Sequence, residues 1–297
     1  MTNTADVFGR YRPFLFGLAY RMLGSGCDAD DLVQETYLRW HQEQLAGRQI
    51  ASPKAWLATV VTRLCIDHLR SAQVTREAYL GPWLPEPLAT AEELDIAETA
   101  LQRESLSIAF LVLLERLTPK ERAIFLLHDV FAYPFAEIAP IVEETGANCR
   151  QVARRARRHI AAGRPRFVAS ADTQQRLAEH FVAATGSGDL SALIALLTED
   201  VVLISDGGAK AQAARRPIVG ADRVGRMLIG ISRSAPPATA IKIEPLNGQL
   251  GIVARANGVP IIAIALALAL ALAQDRIGAL YLVVNPDKLR RLITAPV

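Results

Sequence analysis

The stretch Pro134–Ala162, PFAEIAPIVEETGANCRQVARRARRHIAA, decides how this chain is read. Its spacing predicts two helices joined by a tight turn. The first covers Pro134–Val142, with Pro134 in the first turn, where a helix tolerates it. The second runs from about Ala147 to Ala162. On a helical wheel Cys149, Val152, Ala153, Ala156 and Ile160 fall within about 100° of one another. Arg150, Arg154, Arg155, Arg157 and Arg158 take the other side, with Asn148 and Gln151 among them. No acidic residue interrupts Gly146–Arg166, so the Arg face has no pairing partner on its own helix. One face is built to pack and the other to meet a polyanion. With a helix before it at turn distance, the segment has the form of a helix-turn-helix. Such a second helix suits a DNA major groove, because Arg pairs with guanine and Asn or Gln with adenine.

The 297 residues leave room for two or three domains, and 51% of them are hydrophobic, enough for ordinary cores. The net charge of +3 is small, but the charges are segregated. Acids gather at Asp28–Glu35 and Glu92–Glu104, and Arg gathers after Gly146, which implies separate partners for separate surfaces. Cys27, Cys65 and Cys149 are scattered and odd in number; no CxxC or Cys/His cluster suggests a zinc site. The N-terminus lacks the basic-then-apolar order of a signal peptide. Ile261–Ala273 is wholly apolar yet only 13 residues long, short of a membrane span. The expectation is a soluble, reduced, cytoplasmic protein with no membrane partner, no metal and no cofactor.

Upstream, Phe8–Leu23 has helical apolar spacing and ends at Gly24–Gly26. Asp28 or Asp30 is the expected cap of a helix from Ala29 to about Leu45, where acids suit the positive end of the helix dipole. Leu32, Val33, Tyr37 and Trp40 form its apolar side and leave Asp31, Gln34 and Glu35 largely outward. After a loop, Ala46–Pro53, a third helix carries Trp56, Leu57, Val60, Val61, Leu64 and Leu69 inward and Lys54, Arg63 and Arg70 outward. GPWLPEPL, with three prolines and a glycine, cannot be a helix or an inner strand. It is an extended linker whose Trp83 and Leu84 are apolar enough to dock. Helices at about Ala91–Leu117 and Pro119–Val130 follow, the latter opened by a capping box of Thr118 and Glu121.

From Asp172 the texture changes. Short helices at Thr173–Ala184 and Leu190–Leu197 precede a strand, Val201–Ser205. Ala221–Ile231 reads as a helix, and strands are expected at Ile241–Leu246, Gly251–Ala256, Ile261–Ala271 and Ile277–Val284. Asn247-Gly248 and Asn257-Gly258 are tight-turn signals. The Ala/Leu alternation of IIAIALALALALA fits either a helix or a strand by propensity; its strict period of two and the flanking turns favour a strand. This half is predicted to be α+β, with helices packed on a curved antiparallel sheet.

With these segments in place, the chain resembles the extracytoplasmic-function (ECF) sigma factors of bacterial RNA polymerase. DADDLVQETYLRW (Asp28–Trp40) looks like sigma region 2.2, and PKAWLATVVTRLCIDHLRS (Pro53–Ser71) like regions 2.3–2.4. LTPKERAIFLLHDVFAYPFAEIA with the Arg-rich helix looks like region 4. WLPEP, DGGAK (Asp206–Lys210) and NPDKL (Asn285–Leu289) resemble the marks of the group 41 factors, which carry a C-terminal domain similar to SnoaL in the NTF2-like fold. Three features depart from the pattern. Ala209 stands where the group usually has a third Gly, and would be strained if that position needed a positive φ. Pro140 sits inside the first helix of the helix-turn-helix, and Arg63 stands where many ECF factors have Asn.

The resemblance implies a multidomain protein: two all-α sigma domains, region 2 over 6–75 and region 4 over 101–168, a Pro-rich linker over 76–100, and an α+β NTF2-like domain over 172–297. It implies that Asp31, Leu32, Gln34 and Glu35 meet the β′ clamp helices of core RNA polymerase, with the β subunit also a partner. Lys54, Trp56, Arg63 and Arg70 would hold the −10 promoter element. Asn148, Arg150, Gln151, Arg154, Arg155, Arg157 and Arg158 would meet the −35 element, with Arg157, Arg158 and Arg164 on phosphates. Trp83 and Leu84 would dock against Asp206, Lys210, Asn285, Pro286, Asp287 and Lys288, so that the C-terminal domain regulates the chain in cis, and its pocket could take a small ligand. Two other classes compete. In an enzyme, Asp206 and His180 would be candidates, but no paired Asp/His constellation emerges. A helix-turn-helix repressor has no use for the acidic helix or for a second DNA-reading helix.

Overall fold

The computed structural model describes residues 4–77, 79–89, 100–163, 170–271 and 274–293. Of these, the residues up to 77 and most of those from 100 to 163 form one compact unit; 79–89, 107–109 and those from 170 onward form a second.

The first unit is helical. Helices α1 (Thr4–Leu23), α2 (Gly26–Leu45) and α3 (Pro53–Glu77) pack around Leu15, Leu18, Met22, Val33, Trp40, Leu57, Val61 and Cys65, all buried. The cap of α2 differs from expectation: Ser25, not Asp28 or Asp30, accepts the Asp28 NH at 3.2 Å, and the helix starts three residues early. Ser at the cap leaves Asp28 free to sit in the first turn, where its charge meets the dipole.

The helix expected over Ala91–Leu117 is interrupted. Ala91–Thr99 lie outside the described residues; the remainder is α4 (Ala100–Glu104) and α5 (Ile108–Leu114). The Ser105 hydroxyl donates to the Gln102 carbonyl at 2.6 Å, a local bond that competes with the helical ladder. Then come α6 (Pro119–Phe125), a π-helical turn (Leu126–Val130), α7 (Phe135–Val142) and α8 (Gly146–Gly163). The capping box of α6 is present: the Thr118 side chain accepts the Glu121 NH, and the Thr118 NH donates to Glu121 at 2.9 Å. Helix α7 continues through Pro140 and ends at Glu143, whose φ is +56°.

The second unit is α+β. Helices α9 (Ala171–Ser187), α10 (Leu190–Ala195) and α11 (Ala221–Arg233) cover one face of a six-stranded sheet, with Phe181, Leu193, Val224, Leu228, Leu266 and Leu280 in the shared core. The strands are β1 (Leu197–Asp206), β2 (Ile218–Val219), β3 (Thr239–Leu246), β4 (Gln249–Ala256), β5 (Val259–Ala271) and β6 (Gln274–Val283). The ambiguous Ala/Leu run is strand β5. The expected all-antiparallel sheet is corrected: the order is β2-β1-β6-β5-β4-β3, and β1 pairs with β6 in parallel. That crossover brings the ends of β1 and β6, Asp206 and Val283, side by side. DGGAK and NPDKL therefore leave the sheet at the same corner.

Candidate promoter, polymerase and linker sites

On α8, Cys149, Ala153, Ala156 and Ile160 are buried, as the wheel predicts. Arg150, Gln151, Arg154 and Arg158 are exposed. The Arg face has no acid on its own helix, as expected, and finds two from elsewhere in the fold. Arg155 Nε donates to Glu121 at 2.7 Å and Arg157 Nε to Asp129 at 2.7 Å. Sequence spacing within one helix is blind to acids arriving from α6 and the π turn. Burial opposes ionisation of Glu121, but the Thr118 NH and hydroxyl and Arg155 outweigh it and hold the carboxyl below its ordinary range. Asn148 is tied by its amide to Glu144 at 2.8 Å, and Lys120 holds the same carboxylate at 2.7 Å. Arg164 lies outside the described residues.

On α2, Asp31 and Gln34 are exposed, Leu32 is half-buried, and Glu35 pairs with Arg39 at 2.8 Å on the next turn. On α3, the four candidates diverge. Lys54 Nζ lies over the rings of Phe14, at 5.4 Å, and Tyr133, at 5.8 Å. Trp56 packs on Trp40, with ring centroids 5.7 Å apart. Arg63 reaches α7, donating to Pro140 O at 2.7 Å and Ile141 O at 3.1 Å. Arg70 stays on its own helix beside Asp67 at 3.6 Å.

In the second unit the linker is docked. Leu84–Leu88 are all buried. The Asp206 carboxylate, fully buried, accepts from the Tyr79 hydroxyl at 2.5 Å, the Leu84 NH at 2.8 Å, the Gly208 NH at 3.1 Å and Lys288 Nζ at 2.7 Å. Lys288 Nζ also donates to Leu84 O at 2.5 Å and stands 4.1 Å from the Trp83 ring centre. Asn285 donates its amide to the Tyr79 oxygen at 2.9 Å and turns its own oxygen to the Asp287 NH. Burial, then the bond to Asp206, pushes the Tyr79 phenol up. At the rim Lys210 pairs with Asp287 at 2.6 Å; that bond holds the Asp287 carboxyl below its ordinary range. Pro286 is exposed. Trp83, Leu84, Asn285 and Lys288 thus gather around the buried Asp206 carboxylate, with Lys210 and Asp287 paired at its rim and Pro286 outside. Ala209 is not among the residues with positive φ; Gly208, at +54°, makes the turn, and a Cβ there would meet the Asn285 amide. The departure at Ala209 carries no strain.

Comparison with known proteins agrees with this geometry. The sigma-70 region 2 model matches residues 7–75 and the sigma-70 region 4 model residues 107–160. The chain is 37% identical over 290 residues to the ECF RNA polymerase sigma factor SigJ of Mycobacterium tuberculosis, covering 95% of this chain and 91% of the relative. It belongs to the ECF sigma factors. A second M. tuberculosis relative, the probable ECF sigma factor SigI, is 32% identical over 286 residues, covering 94% and 92%. The crystal structure of SigJ superposes with a TM-score of 0.73 at 34% identity, covering 95% of this chain and 96% of that one. This sigma factor has no helix among its described residues long and apolar enough to cross a membrane.

Sequence reasoning about the sigma factor missed two parts of the docking site. Tyr79 binds both Asp206 and Asn285, yet it stands alone before the Pro-rich run with no motif to mark it. Asn247 was legible only as a turn residue. Its side chain accepts the Leu88 NH at 2.9 Å and its NH donates to Leu88 O at 2.9 Å, while Ala89 forms an isolated antiparallel bridge with Leu246.

Proposed function

We propose that this ECF sigma factor takes core RNA polymerase and promoter DNA as partners, as its sigma regions 2 and 4 imply. In this reading Asp31, Leu32, Gln34 and Glu35 meet the β′ clamp helices, Lys54, Trp56, Arg63 and Arg70 hold the −10 element, and Asn148, Arg150, Gln151 and Arg154 read the −35 groove, with Arg158 on a phosphate. The exposed acids of α2 suit a basic coiled coil through steering and charge-assisted hydrogen bonds. Arg155 and Arg157 serve phosphates only by giving up Glu121 and Asp129, so they act as positioning residues for α8.

In the same reading, the C-terminal domain regulates transcription in cis by holding the linker between the two sigma regions, working in the cytoplasm. The observation that carries this is the buried Asp206–Lys288 pair closed on both main-chain groups of Leu84. A linker of residues 76–100 reaches at most about 80–90 Å when fully extended. Fixing 79–89 in one path therefore decides where regions 2 and 4 can go. The test is in vitro transcription with core polymerase, comparing the full chain with one ending before Asp172. Equal output from every promoter tried would remove the regulatory role and leave the sigma role standing.

A further inference from the structure

Helix α8 opens on a clamp made of Lys120, Glu144 and Asn148. Thr145 closes the first turn: its hydroxyl accepts the Asn148 NH at 3.2 Å and its carbonyl the Cys149 NH at 2.9 Å. The Asn148 side chain, tilted toward the N-terminus like every helical side chain, reaches the residue four before it. That residue is Glu144, which accepts from Asn148 Nδ2 at 2.8 Å. Its other oxygen accepts from Lys120 Nζ, on α6, at 2.7 Å. The Glu144 NH donates to Ala139 O at 3.0 Å, so the main chain fixes the root of the carboxylate at the end of α7. Lys120 first, and Asn148 after it, hold the Glu144 carboxyl below its ordinary range.

A carboxylate can only accept a hydrogen bond, so the amide atom that faces Glu144 is the nitrogen. The two ends of the amide, alike in shape, are told apart by that partner. The Asn148 oxygen is turned from the carboxylate, and among the described residues nothing is bonded to it. An amide free to rotate about its last torsion exchanges oxygen and nitrogen, because that torsion is broad and roughly two-fold. Turned over beside Glu144, it would set oxygen against oxygen. In the major groove adenine and cytosine present amino hydrogens, whereas guanine and thymine present keto oxygens. On the strand it meets, a fixed amide oxygen attracts the first two bases and repels the others. Lys120 offsets the negative charge that Glu144 would otherwise set against DNA phosphates.

We propose that Glu144, held by Lys120, is a positioning residue for promoter reading: it fixes the Asn148 amide with its oxygen free for a base, so that α8 selects adenine or cytosine on one strand at one position of the −35 element. This rests on the −35 reading above, in which Asn148 meets a base. Glu144 acts through Asn148 and not on the DNA. The clamp also widens what residue type alone implies for Asn. What it fixes is an acceptor, and cytosine N4 satisfies an acceptor as adenine N6 does.

The test is selection from a pool of duplexes randomised across the −35 element, bound by core polymerase reconstituted with the full chain, wild type or variant, and then sequenced. Asn148→Ala marks the base pair that Asn148 meets as the position where a preference is lost. There the wild type should favour adenine and cytosine on one strand over guanine and thymine by at least about fivefold, the low end for one good side chain–base pair. Glu144→Ala should bring that preference below about twofold and leave the other positions as they are. Glu144→Gln, which keeps an acceptor but no charge, should fall between. Adding Glu144→Ala to Asn148→Ala should change nothing further. The preference is a ratio within one sample, so a partly unfolded variant does not distort it. Any other division of the four bases at that position, an unaltered preference in both Glu144 variants, or an equal change at every position overturns the proposal and leaves the −35 reading standing. An effect of Glu144→Ala that persists without Asn148 overturns it in the same way. Should the wild type select no sequence, or Asn148→Ala alter no position, base reading by Asn148 fails and the proposal falls with it.

Discussion

Lys288→Met is the sharpest probe of the docked linker. Lys288 and Asp206 have side chains 8% and 0% exposed, and removing one partner of a buried pair typically costs about 3–5 kcal/mol. Met keeps the bulk of the stem, so little of that is lost packing. Three donors to Asp206 survive, from Tyr79, Leu84 and Gly208, but Leu84 O loses its donor and Trp83 its cation. When the linker lifts away, Asp206 regains water, so most of the cost falls on the docked state. At roughly 1.4 kcal/mol per decade, docking weakens by about two to four orders of magnitude. The assay is amide exchange at Leu84 and Leu88, whose NH groups are held only while the linker is docked. Asp206→Asn/Lys288→Met should recover part of the loss, since the amide leaves no bare charge. Wild-type exchange in Lys288→Met, or a double variant equal to the sum of the singles, would refute the latch.

How much was legible depended on where the decisive partner came from. The buried stripe of α8, the capping box at Thr118 and the strand at β5 follow from residues within a turn or two of one another, and periodicity found them. The meeting of WLPEP, DGGAK and NPDKL was expected from resemblance; the chemistry of the meeting was not, because it depends on β1 lying parallel to β6 and bringing Asp206 beside Asn285. The same blindness hid the partners of Arg155 and Arg157, which arrive from other helices. Ser25 was missed as a cap because two acids stood just downstream, and acids explain a helix start equally well.

Among the remaining predictions, Arg154→Ala should weaken promoter binding and reduce the salt slope by about 1 if the side chain holds a phosphate; an unchanged slope in a salt titration counts against it. Asp31→Arg with Glu35→Arg should abolish co-purification with core polymerase at unchanged helix content, and normal recovery would sink the α2 assignment. Glu121 has a lowered pKa in the folded chain. Its contribution is therefore full above the unfolded value of about 4.3 and lost as pH falls through the lower folded value. Glu121→Gln should accordingly make acid unfolding less steep below about pH 4; an identical acid limb would show that the capping box and Arg155 do not carry it.

The linker latch is a cation held on a main-chain carbonyl. Carbonyls are present whatever the side chains, so the gripping cation can stay fixed while the gripped segment changes. Lys288 keeps Asp206, a partner within its own domain, so lifting the linker strands no bare ion; the loss is Leu84–Leu88 burial and a few hydrogen bonds. Opening therefore leaves no buried unpaired charge, which would cost several kcal/mol. The contact can be tight enough to occupy one position and still reversible, as a regulatory contact in a transcription factor must be.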